Sequence, residues 1–397
     1  MKVPFYRHDL AASDAAAIAA VLRTPHLTTG AVGRAVEAQL ADYFSTRHAV
    51  LTSSWTTGAH ATLMALGIGP GDEVLVPAMT FIASANVVEL VGATPVFIDI
   101  DPETLLMTPA ALAAALTPAT RAVMPVHLYG QMCDMAGLRK VLATRPDIAL
   151  IEDCAHCFEG RRADKRPGVY SDAAIFSFYA TKNVTCGEGG AVVTNRADLA
   201  ASLRSIRSHG MSAAAAERFQ NGFYRHWDME RLGLKANLPD LLAALLPPQI
   251  KTVDARLARR EELARYYEAA LSDLPLRLVE SVPDVLHARH LLPIHVPPQI
   301  RDKLIHGLNS AGIGVTVNYT AVPATTYYRE KYGFACDSFP HARAWGAGTL
   351  SLPLYPALTR AQQDHVVDTL ATLLEALTRS HRVHVSGVSE APPQNFD

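Results

Sequence analysis

The sequence predicts an α/β fold in which helices flank a mainly parallel β-sheet, followed by a smaller C-terminal α+β domain. Short apolar runs alternate with longer helix-like segments through the first two thirds of the 397-residue chain, which is typical of βαβ units. The run Ile148–Ile151 is apolar and is followed at once by polar residues, as expected for a buried parallel strand. Residues 239–272, rich in Leu, Ala and Arg, predict a helical connection between the two domains.

The predicted elements follow in chain order. In the first part we expect strands at 49–52, 73–76, 95–98, 121–126 and 148–152, and helices at 56–66, 82–91, 109–115 and 135–143. Further strands at 173–176 and 190–193 bracket a loop. Pro247 and Pro248 are expected to interrupt the connecting helix because proline lacks the backbone N–H that a helix interior requires. The smaller domain begins near Pro275 after the connecting helix, and in it we expect strands at 290–296 and 314–318 and helices at 300–310 and 361–378.

These elements divide the chain into three parts. Residues 1–250 form the large domain, and residues 251–379 form the smaller domain together with the connecting helix. Residues 380–397 lose the helical periodicity and predict a flexible tail. The chain is long enough for each domain to bury a core of its own.

Composition and charge exclude several classes of function. A net charge of -2 provides no field that would attract nucleic acid or an acidic membrane. Asp9 and Asp14 interrupt the apolar N-terminal segment, so we expect no signal peptide, and no run is long enough to span a bilayer. The sequence therefore predicts a cytoplasmic enzyme.

The five cysteines are scattered and do not predict a disulfide framework. Cys154 and Cys157 form one C-x-x-C pair, but no second pair follows to complete a zinc site, so we expect no metal.

The segment 176–195 carries the clearest chemical signal. It places Lys182 in a loop rich in Ser, Thr and Gly after a short apolar run. Such a loop can hold a cofactor phosphate while the lysine amine forms a Schiff base with an aldehyde. Most lysines are solvated surface charges, so this hypothesis requires partner residues elsewhere in the chain.

Two candidate partners follow the strand at 148–152. Asp153 lies at its carboxyl end, the edge where open α/β sheets bind ligands. It could cap a turn, or it could keep a proton on the ring nitrogen of pyridoxal phosphate. His156 could bind the phenolate oxygen of that cofactor or lie over its ring, although a single histidine is more often structural.

Several blocks of the sequence together resemble one known family. They are EDCAH at 152–156, SFYATKN at 177–183, GIGPGDEVLVPAMTF at 67–81, GATPVFIDIDPETL at 92–105 and PVHLYGQMCDM at 125–135. Their order and content resemble the DegT/DnrJ/EryC1/StrS aminotransferases, from about residue 27 to about residue 374. The resemblance implies a fold-type I pyridoxal phosphate enzyme with a seven-stranded sheet. It also implies a homodimer with shared active sites that aminates a keto sugar attached to a nucleotide.

The resemblance also suggests which residues bind the cofactor. It places Ser54, Trp55 and Thr56 at a helix N-terminus under the phosphate, where free amides and the helix dipole favour an anion. Relatives usually carry a small residue in place of Trp55. Phe81 corresponds to the aromatic residue that stacks on the pyridine ring, and Ser177 to a phosphate-binding hydroxyl.

Other positions are implied for the partner subunit and for the substrate. Lys235, in GLKAN at 233–237, corresponds to a residue that reaches the cofactor phosphate of the neighbouring subunit, and Asn237 is the alternative. Thr29, Tyr179 and Tyr319 lie in blocks that line the substrate pocket of relatives. Arg329 could bind a phosphate, but an exposed arginine on a helix is the simpler interpretation.

The function implied is a two-step, ping-pong transamination through a Lys182 Schiff base, with L-glutamate as the amino donor. Two alternatives stay open. A related sugar dehydratase would usually replace the lysine with histidine or add a cysteine cluster for iron and sulfur, and this sequence has neither feature. A regulatory relative that binds the cofactor without turnover would keep the same residues.

Overall fold

The computed structural model describes residues 1–212, 219–220, 223–224 and 226–386. Its strands are β1 (His48–Thr52), β2 (Glu73–Pro77), β3 (Thr94–Ile98), β4 (Thr120–Val123), β5 (Ala149–Asp153), β6 (Arg161–Arg162), β7 (Ala173–Ser177), β8 (Gly190–Thr194), β9 (Phe219–Gln220), β10 (Phe223–Tyr224), β11 (Arg277–Leu278), β12 (Val285–Leu286), β13 (Leu292–His295) and β14 (Thr349–Leu352).

The α-helices of the same part are α1 (Ala12–Val21), α2 (Ala31–Tyr43), α3 (Trp55–Ala65), α4 (Ala83–Leu90), α5 (Pro109–Ala115), α6 (Met135–Val141), α7 (Ala197–Ile206), α8 (Asp240–Ala243), α9 (Leu246–Ala270), α10 (Pro298–Ser310), α11 (Thr326–Tyr332), α12 (Pro340–Gly348) and α13 (Arg360–Ser386). None of the helices described is long and apolar enough to cross a membrane.

The main sheet has seven strands in the order β1-β8-β7-β5-β4-β2-β3. The strands from β7 to β3 run parallel, whereas β8 is antiparallel to both β7 and β1. Helices cover the sheet, so its strands are buried almost throughout and their sequences are nearly continuous apolar runs. This arrangement confirms the predicted α/β fold and the seven-stranded sheet.

The residues after α9 build a second sheet, in the order β11-β13-β14, with a hydrophobic core of its own. Leucines of α10 and α13 pack into that core. Val3, from the opposite end of the chain, belongs to the same core, and its backbone exchanges hydrogen bonds with Gly312 and Gly314. The N-terminal segment therefore crosses from the smaller sheet toward the large one.

Three details of the predicted elements are wrong. Residues 314–318 do not form a strand, because Ile313 and Thr316 make only isolated bridges, to Val3 and Ser351. Pro247 and Pro248 do not interrupt the connecting helix. They occupy the first turn of α9, where a missing N–H costs nothing, and the break lies earlier, between α8 and α9.

The third detail is the last helix, which runs to Ser386 rather than to residue 378. The predicted flexible tail, 380–397, thus begins within a helix, and residues 387–397 lie outside the described residues. The five cysteines are free thiols in the structure.

Candidate active site

Lys182 lies in the loop between β7 and β8, at the carboxyl end of the main sheet. Its backbone N–H donates to the carbonyl of Tyr179 at 2.9 Å, which closes a turn. Within the described part of the chain, the amine has no hydrogen-bond or ion-pair partner. The surrounding protein removes water from the amine and lowers its pKa from 10.5 to about 8, although the Asp153 carboxylate partly opposes this shift. A large fraction of the amine is therefore neutral near pH 8, as a nucleophile or base requires.

Asp153 ends β5 and is almost completely buried. One carboxylate oxygen accepts a hydrogen bond from the Ser84 hydroxyl at 2.8 Å, and the other accepts from the Ala155 N–H at 3.1 Å. Burial raises the pKa of Asp153 above 3.8 in spite of these hydrogen bonds and of the Lys182 charge. A ring N–H⁺ placed against this carboxylate would supply the positive partner that it lacks, so the site suits a protonated pyridine.

His156 is fixed in one tautomer by its neighbours. Its Nδ1 accepts the backbone N–H of Tyr129 at 3.2 Å, so the hydrogen of the neutral ring must lie on Nε2. Nε2 is 3.0 Å from the Tyr319 hydroxyl, which therefore accepts. Burial and the nearby Lys182 charge keep the pKa of His156 well below 6.5, so the ring is neutral. Consequently, the hydroxyl hydrogen of Tyr319 is free to be donated elsewhere.

An aromatic wall stands beside these groups. The Phe81 and Tyr319 ring centroids are 5.6 Å apart, and Phe81 is 53% exposed. Tyr179 is also exposed, at 47%. Exposed aromatic rings next to a buried carboxylate provide surface on which a planar ring could stack.

The N-terminus of α3 offers an anion site at the same edge of the sheet. Ser54 caps this helix, because its hydroxyl accepts the Thr57 N–H at 3.1 Å. The first amides of a helix, here those of Trp55 and Thr56, have no intrahelical acceptor. The Trp55 side chain is 5% exposed and packs into the core of the large sheet.

The turn at Ser54 approaches β8 very closely. A Cβ added at Gly190 would lie 2.5 Å from the Ser54 carbonyl carbon, so only glycine fits at this position. Gly190 is in register with Ser177, whose hydroxyl accepts the Tyr179 N–H at 3.3 Å. Ser177 and the α3 N-terminus therefore lie at one edge, with Lys182 in the loop that follows.

Other predicted residues lie outside this group of side chains, although the Ala236 carbonyl accepts the Ser53 N–H at 2.8 Å and so places the segment 235–237 beside the turn at Ser54. Thr29 and Asn237 line a separate groove, beside α2 and α7. Lys235 is exposed, and its amine donates to Asn237 Oδ1 at 3.1 Å. Arg329 is exposed on α11.

A buried polar network next to Lys182 was not predicted from the sequence. The Asn183 side-chain amide donates to Glu159 Oε2 at 2.9 Å and to the Ala288 carbonyl at 2.8 Å. Both amide hydrogens are thus used, and Asn183 Oδ1 lies 3.1 Å from Nδ1 of His290. Glu159 also pairs with Arg260 of α9, and both side chains are almost fully buried. The only sequence signal was Asn183 itself, which directly follows the lysine.

We expect Arg260→Leu to lower the free energy of unfolding by about 3 kcal/mol, because it leaves the Glu159 charge buried without its partner. Chemical denaturation would measure the change. Arg265→Leu is the matched control on the same helix: its pair with Glu261 is exposed, so the change should stay within about 1 kcal/mol. Equal effects of the two substitutions would show that the buried pair contributes no more than a surface pair.

A second buried cluster has the composition of a metal site. His127, Glu152 and Cys154 bring potential ligand atoms within 4.8 Å of one another. Both ring nitrogens of His127 are engaged, however: Nδ1 accepts the Cys133 N–H at 3.2 Å, and Nε2 contacts Glu152 Oε2 at 2.7 Å. Glu152 Oε1 accepts the Gly168 N–H at 2.6 Å. These hydrogen bonds explain why the three side chains lie together: they form a structural support behind Asp153.

Comparison with known proteins agrees with this geometry. The model of the DegT/DnrJ/EryC1/StrS aminotransferase family matches residues 8–371. Spr1654 of Streptococcus pneumoniae, which is assigned as a sugar aminotransferase, is similar in its PLP form at 28% identity and a TM-score of 0.88, covering 95% of this chain and 100% of that one. DesV of S. venezuelae, solved in complex with a ketimine intermediate, is 34% identical at a TM-score of 0.86, covering 94% of this chain and 99% of that one.

The family match extends over most of the chain, and a relative above 30% identity is covered almost completely. Neighbouring structures contain the cofactor as PLP or PMP, and the residues around Lys182 suit the same group. The chain therefore belongs to the pyridoxal phosphate-dependent DegT/DnrJ/EryC1/StrS aminotransferase family.

Proposed function

We propose that this protein transfers an amino group from L-glutamate to a keto sugar linked to a nucleotide, in two half-reactions at one site. The observation that carries the proposal is the Lys182 amine, which has a lowered pKa and no partner among the described residues, at the same sheet edge as the buried Asp153 carboxylate. The family match and the likeness to Spr1654 and DesV support the reaction class. The nucleotide, the sugar and the donor are parts of the proposal.

When bound, pyridoxal phosphate supplies an aldehyde that reacts with amines and a ring that withdraws electrons. Asp153 would hold the ring nitrogen in its protonated form. The α3 N-terminus and Ser177 would bind the phosphate, and Phe81 would cover one face of the ring. The side chains present thus provide a partner for each polar end of the cofactor.

Lys182 is assigned the proton transfers. In the first half-reaction its neutral amine accepts the proton from the α-carbon of the donor. In the second half-reaction the ammonium returns a proton to the carbon skeleton as the keto sugar gains nitrogen. A pKa of about 8 suits both directions, because neither the neutral nor the charged amine dominates near that pH.

Tyr319 and His156 are assigned to orient an oxygen of the cofactor or substrate. Because the Tyr319 oxygen accepts from His156 Nε2, its own hydrogen can be donated into the site. The His156 ring is held in turn by the Tyr129 backbone. This chain of hydrogen bonds fixes the direction of the Tyr319 donor before any ligand binds.

The test is a panel of nucleotide-linked 3-keto and 4-keto sugars incubated with cofactor-loaded protein and ¹⁵N-labelled L-glutamate. We expect mass spectrometry to find ¹⁵N in one sugar product, and the matching sugar without its nucleotide to react at least about tenfold more slowly. Absence of labelled product from every sugar would overturn the proposal. Loss of oxygen without gain of nitrogen would identify a dehydratase instead.

We further propose a homodimer in which Lys235 serves the cofactor phosphate of the other subunit. The exposure of its amine supports this arrangement, because an exposed amine is open to a second copy of the chain. If each active site is built from two chains, two different inactive variants should complement each other. Lys182→Ala and Lys235→Ala chains, inactive or impaired alone, should recover activity when combined.

Co-expression of the two variants with different tags tests this arrangement. In a mixed dimer, one site loses both lysines and the other keeps both, so mixed dimers purified through both tags should recover about half of the wild-type activity. Co-expression of two Lys182→Ala chains is the control and should restore nothing. If the mixed dimers are no more active than half of the Lys235→Ala homodimer, Lys235 does not act across the interface.

A further inference from the structure

Tyr129 lies in the turn between β4 and α6, and its side chain is buried, with 2% exposed. Its backbone is in the left-handed region, with a φ of 59°, which a residue with a bulky side chain rarely adopts. Such backbone conformations are often kept where they position a functional group. The proposed function uses only the backbone N–H of Tyr129, so it leaves the buried side chain without a role.

The Tyr129 hydroxyl connects two segments that follow α10. It accepts the indole N–H of Trp345, in α12, at 3.2 Å. Its own hydrogen is donated to the carbonyl of Asn318. Burial raises the pKa of Tyr129 above 10, in spite of the hydrogen bond from Trp345, so the hydroxyl keeps this hydrogen. Hydrogen bonds therefore run in one direction, from Trp345 to Tyr129 and from Tyr129 to Asn318.

The Asn318 carbonyl belongs to the peptide unit that joins Asn318 to Tyr319. A hydrogen bond to this carbonyl restrains the backbone from which the Tyr319 side chain extends. The Tyr319 hydroxyl accepts from Nε2 of His156 at 3.0 Å, and Nδ1 of the same ring accepts from the backbone N–H of Tyr129 at 3.2 Å. Tyr129 therefore holds both members of the His156–Tyr319 pair, one through its backbone and the other through its side chain.

The three rings lie in nearly parallel planes. The planes of Tyr129 and His156 differ by 10°, and those of His156 and Tyr319 differ by 18°. The Tyr129 carbonyl also accepts the backbone N–H of His290 at 3.1 Å, and the His290 ring centroid is 4.5 Å from that of His156. Tyr129 is thus fixed at its N–H, its carbonyl and its hydroxyl, which makes it a rigid support for the pair.

We propose that Tyr129 is a positioning residue for amino transfer: its hydroxyl fixes the peptide unit of Tyr319, so that the Tyr319 hydroxyl donates in one direction into the site. This inference rests on the proposed function, in which Tyr319 orients an oxygen of the cofactor or substrate. Burial raises the pKa of Tyr319 above 10, so its hydrogen is available for that purpose. A donor that is oriented in advance needs no rearrangement when the ligand binds.

A double-mutant cycle tests whether Tyr129 acts through Tyr319. We expect Tyr319→Phe to lower kcat/KM about tenfold in at least one half-reaction, and Tyr129→Phe to lower it by a similar factor in the same half-reaction. The double variant should lose no more than Tyr319→Phe alone, because the donor that Tyr129 positions is already absent. A tyrosine that only stabilised the fold would multiply the two losses, to about a hundredfold.

The matched control for Tyr129→Phe is Tyr328→Phe. Tyr328 is also 2% exposed, and its hydroxyl donates to Asn86 Oδ1 at 2.8 Å, outside this network. This variant should leave kcat/KM unchanged. If Tyr129→Phe does not fold, Trp345→Phe takes its place in the cycle: it removes the donor to the Tyr129 oxygen, and the expected loss is about threefold.

The Nε2 hydrogen of His156 provides a second measurement, made on cofactor-free protein labelled with ¹⁵N-histidine. By NMR we expect this hydrogen to exchange with water at least about tenfold faster in Tyr129→Phe than in the wild type, because Tyr319 is then less restrained as its acceptor. Tyr328→Phe should leave the exchange rate unchanged.

The inference is overturned if the losses in the cycle multiply, if Tyr319→Phe costs no activity in either half-reaction, or if exchange at His156 is the same in Tyr129→Phe as in the wild type. The last result, found in an enzyme that aminates a sugar, removes this inference alone. Failure of the wild type to aminate any sugar removes the proposed function, and this inference with it.

Discussion

Substituting alanine for Lys182 is expected to lower transamination at least about a thousandfold, while the protein still folds and retains cofactor noncovalently. Among the described residues its amine has no hydrogen-bond or ion-pair partner, so the substitution removes no structural contact of that amine. The loss should therefore appear in kcat and not in stability. Rapid-mixing absorbance with L-glutamate alone would measure the first half-reaction directly.

The control for this substitution is Lys303→Ala, which removes an exposed lysine on α10 and should leave the rate unchanged. Borohydride reduction of the loaded wild type, followed by peptide mapping, should place the pyridoxyl group on the peptide that contains Lys182. A label on a different lysine, or a Lys182→Ala protein that still responds to L-glutamate, would contradict the assignment.

The strands of the main sheet could be predicted because their physical cause is local. A parallel strand that is covered on both faces must be apolar along its length, and runs such as Ile148–Ile151 show this directly in the sequence. The segment 314–318 was also predicted as a strand, but it meets the edge strand β14 through a single bridge, between Thr316 and Ser351. Strand formation there depended on a partner that the sequence does not reveal.

Some residues of the candidate site could likewise be predicted from the sequence, and others could not. Lys182, Asp153 and His156 could be proposed because each stands in a short block with its own chemical logic. The supporting contacts could not, because they join distant segments: Ser84 reaches Asp153, and Asn183 reaches both Glu159 and His290. The residue types did not predict these contacts, because a serine, an asparagine or a histidine in isolation is most often an ordinary polar residue. Only the fold brings these groups together.

Asp153→Asn is expected to lower transamination by at least about a hundredfold, because an uncharged amide cannot keep a proton on the ring nitrogen. Asparagine has nearly the same shape, so the substitution removes charge and leaves packing intact. Ser84→Ala should cause a smaller loss, since the carboxylate would keep its charge and its hydrogen bond from Ala155. Asp302→Asn, an exposed carboxylate on α10, is the control and should have no effect.

The same substitution makes a prediction that does not depend on turnover. The Asp153 carboxylate raises the pKa of Lys182, so its removal should move that pKa below about 8 in cofactor-free protein. More of the amine would then be neutral at pH 7, and its labelling by an amine-selective reagent, followed by peptide mass mapping across pH, should become faster. A damaged fold would not shift the midpoint of Lys182 labelling in this direction while calorimetry showed an unchanged unfolding transition.

A lower catalytic rate together with a more nucleophilic lysine would therefore identify the Asp153 charge, rather than the shape of the site, as the property that catalysis requires. An unchanged Lys182 midpoint would show that the Asp153 charge does not act on the lysine amine and would contradict this prediction.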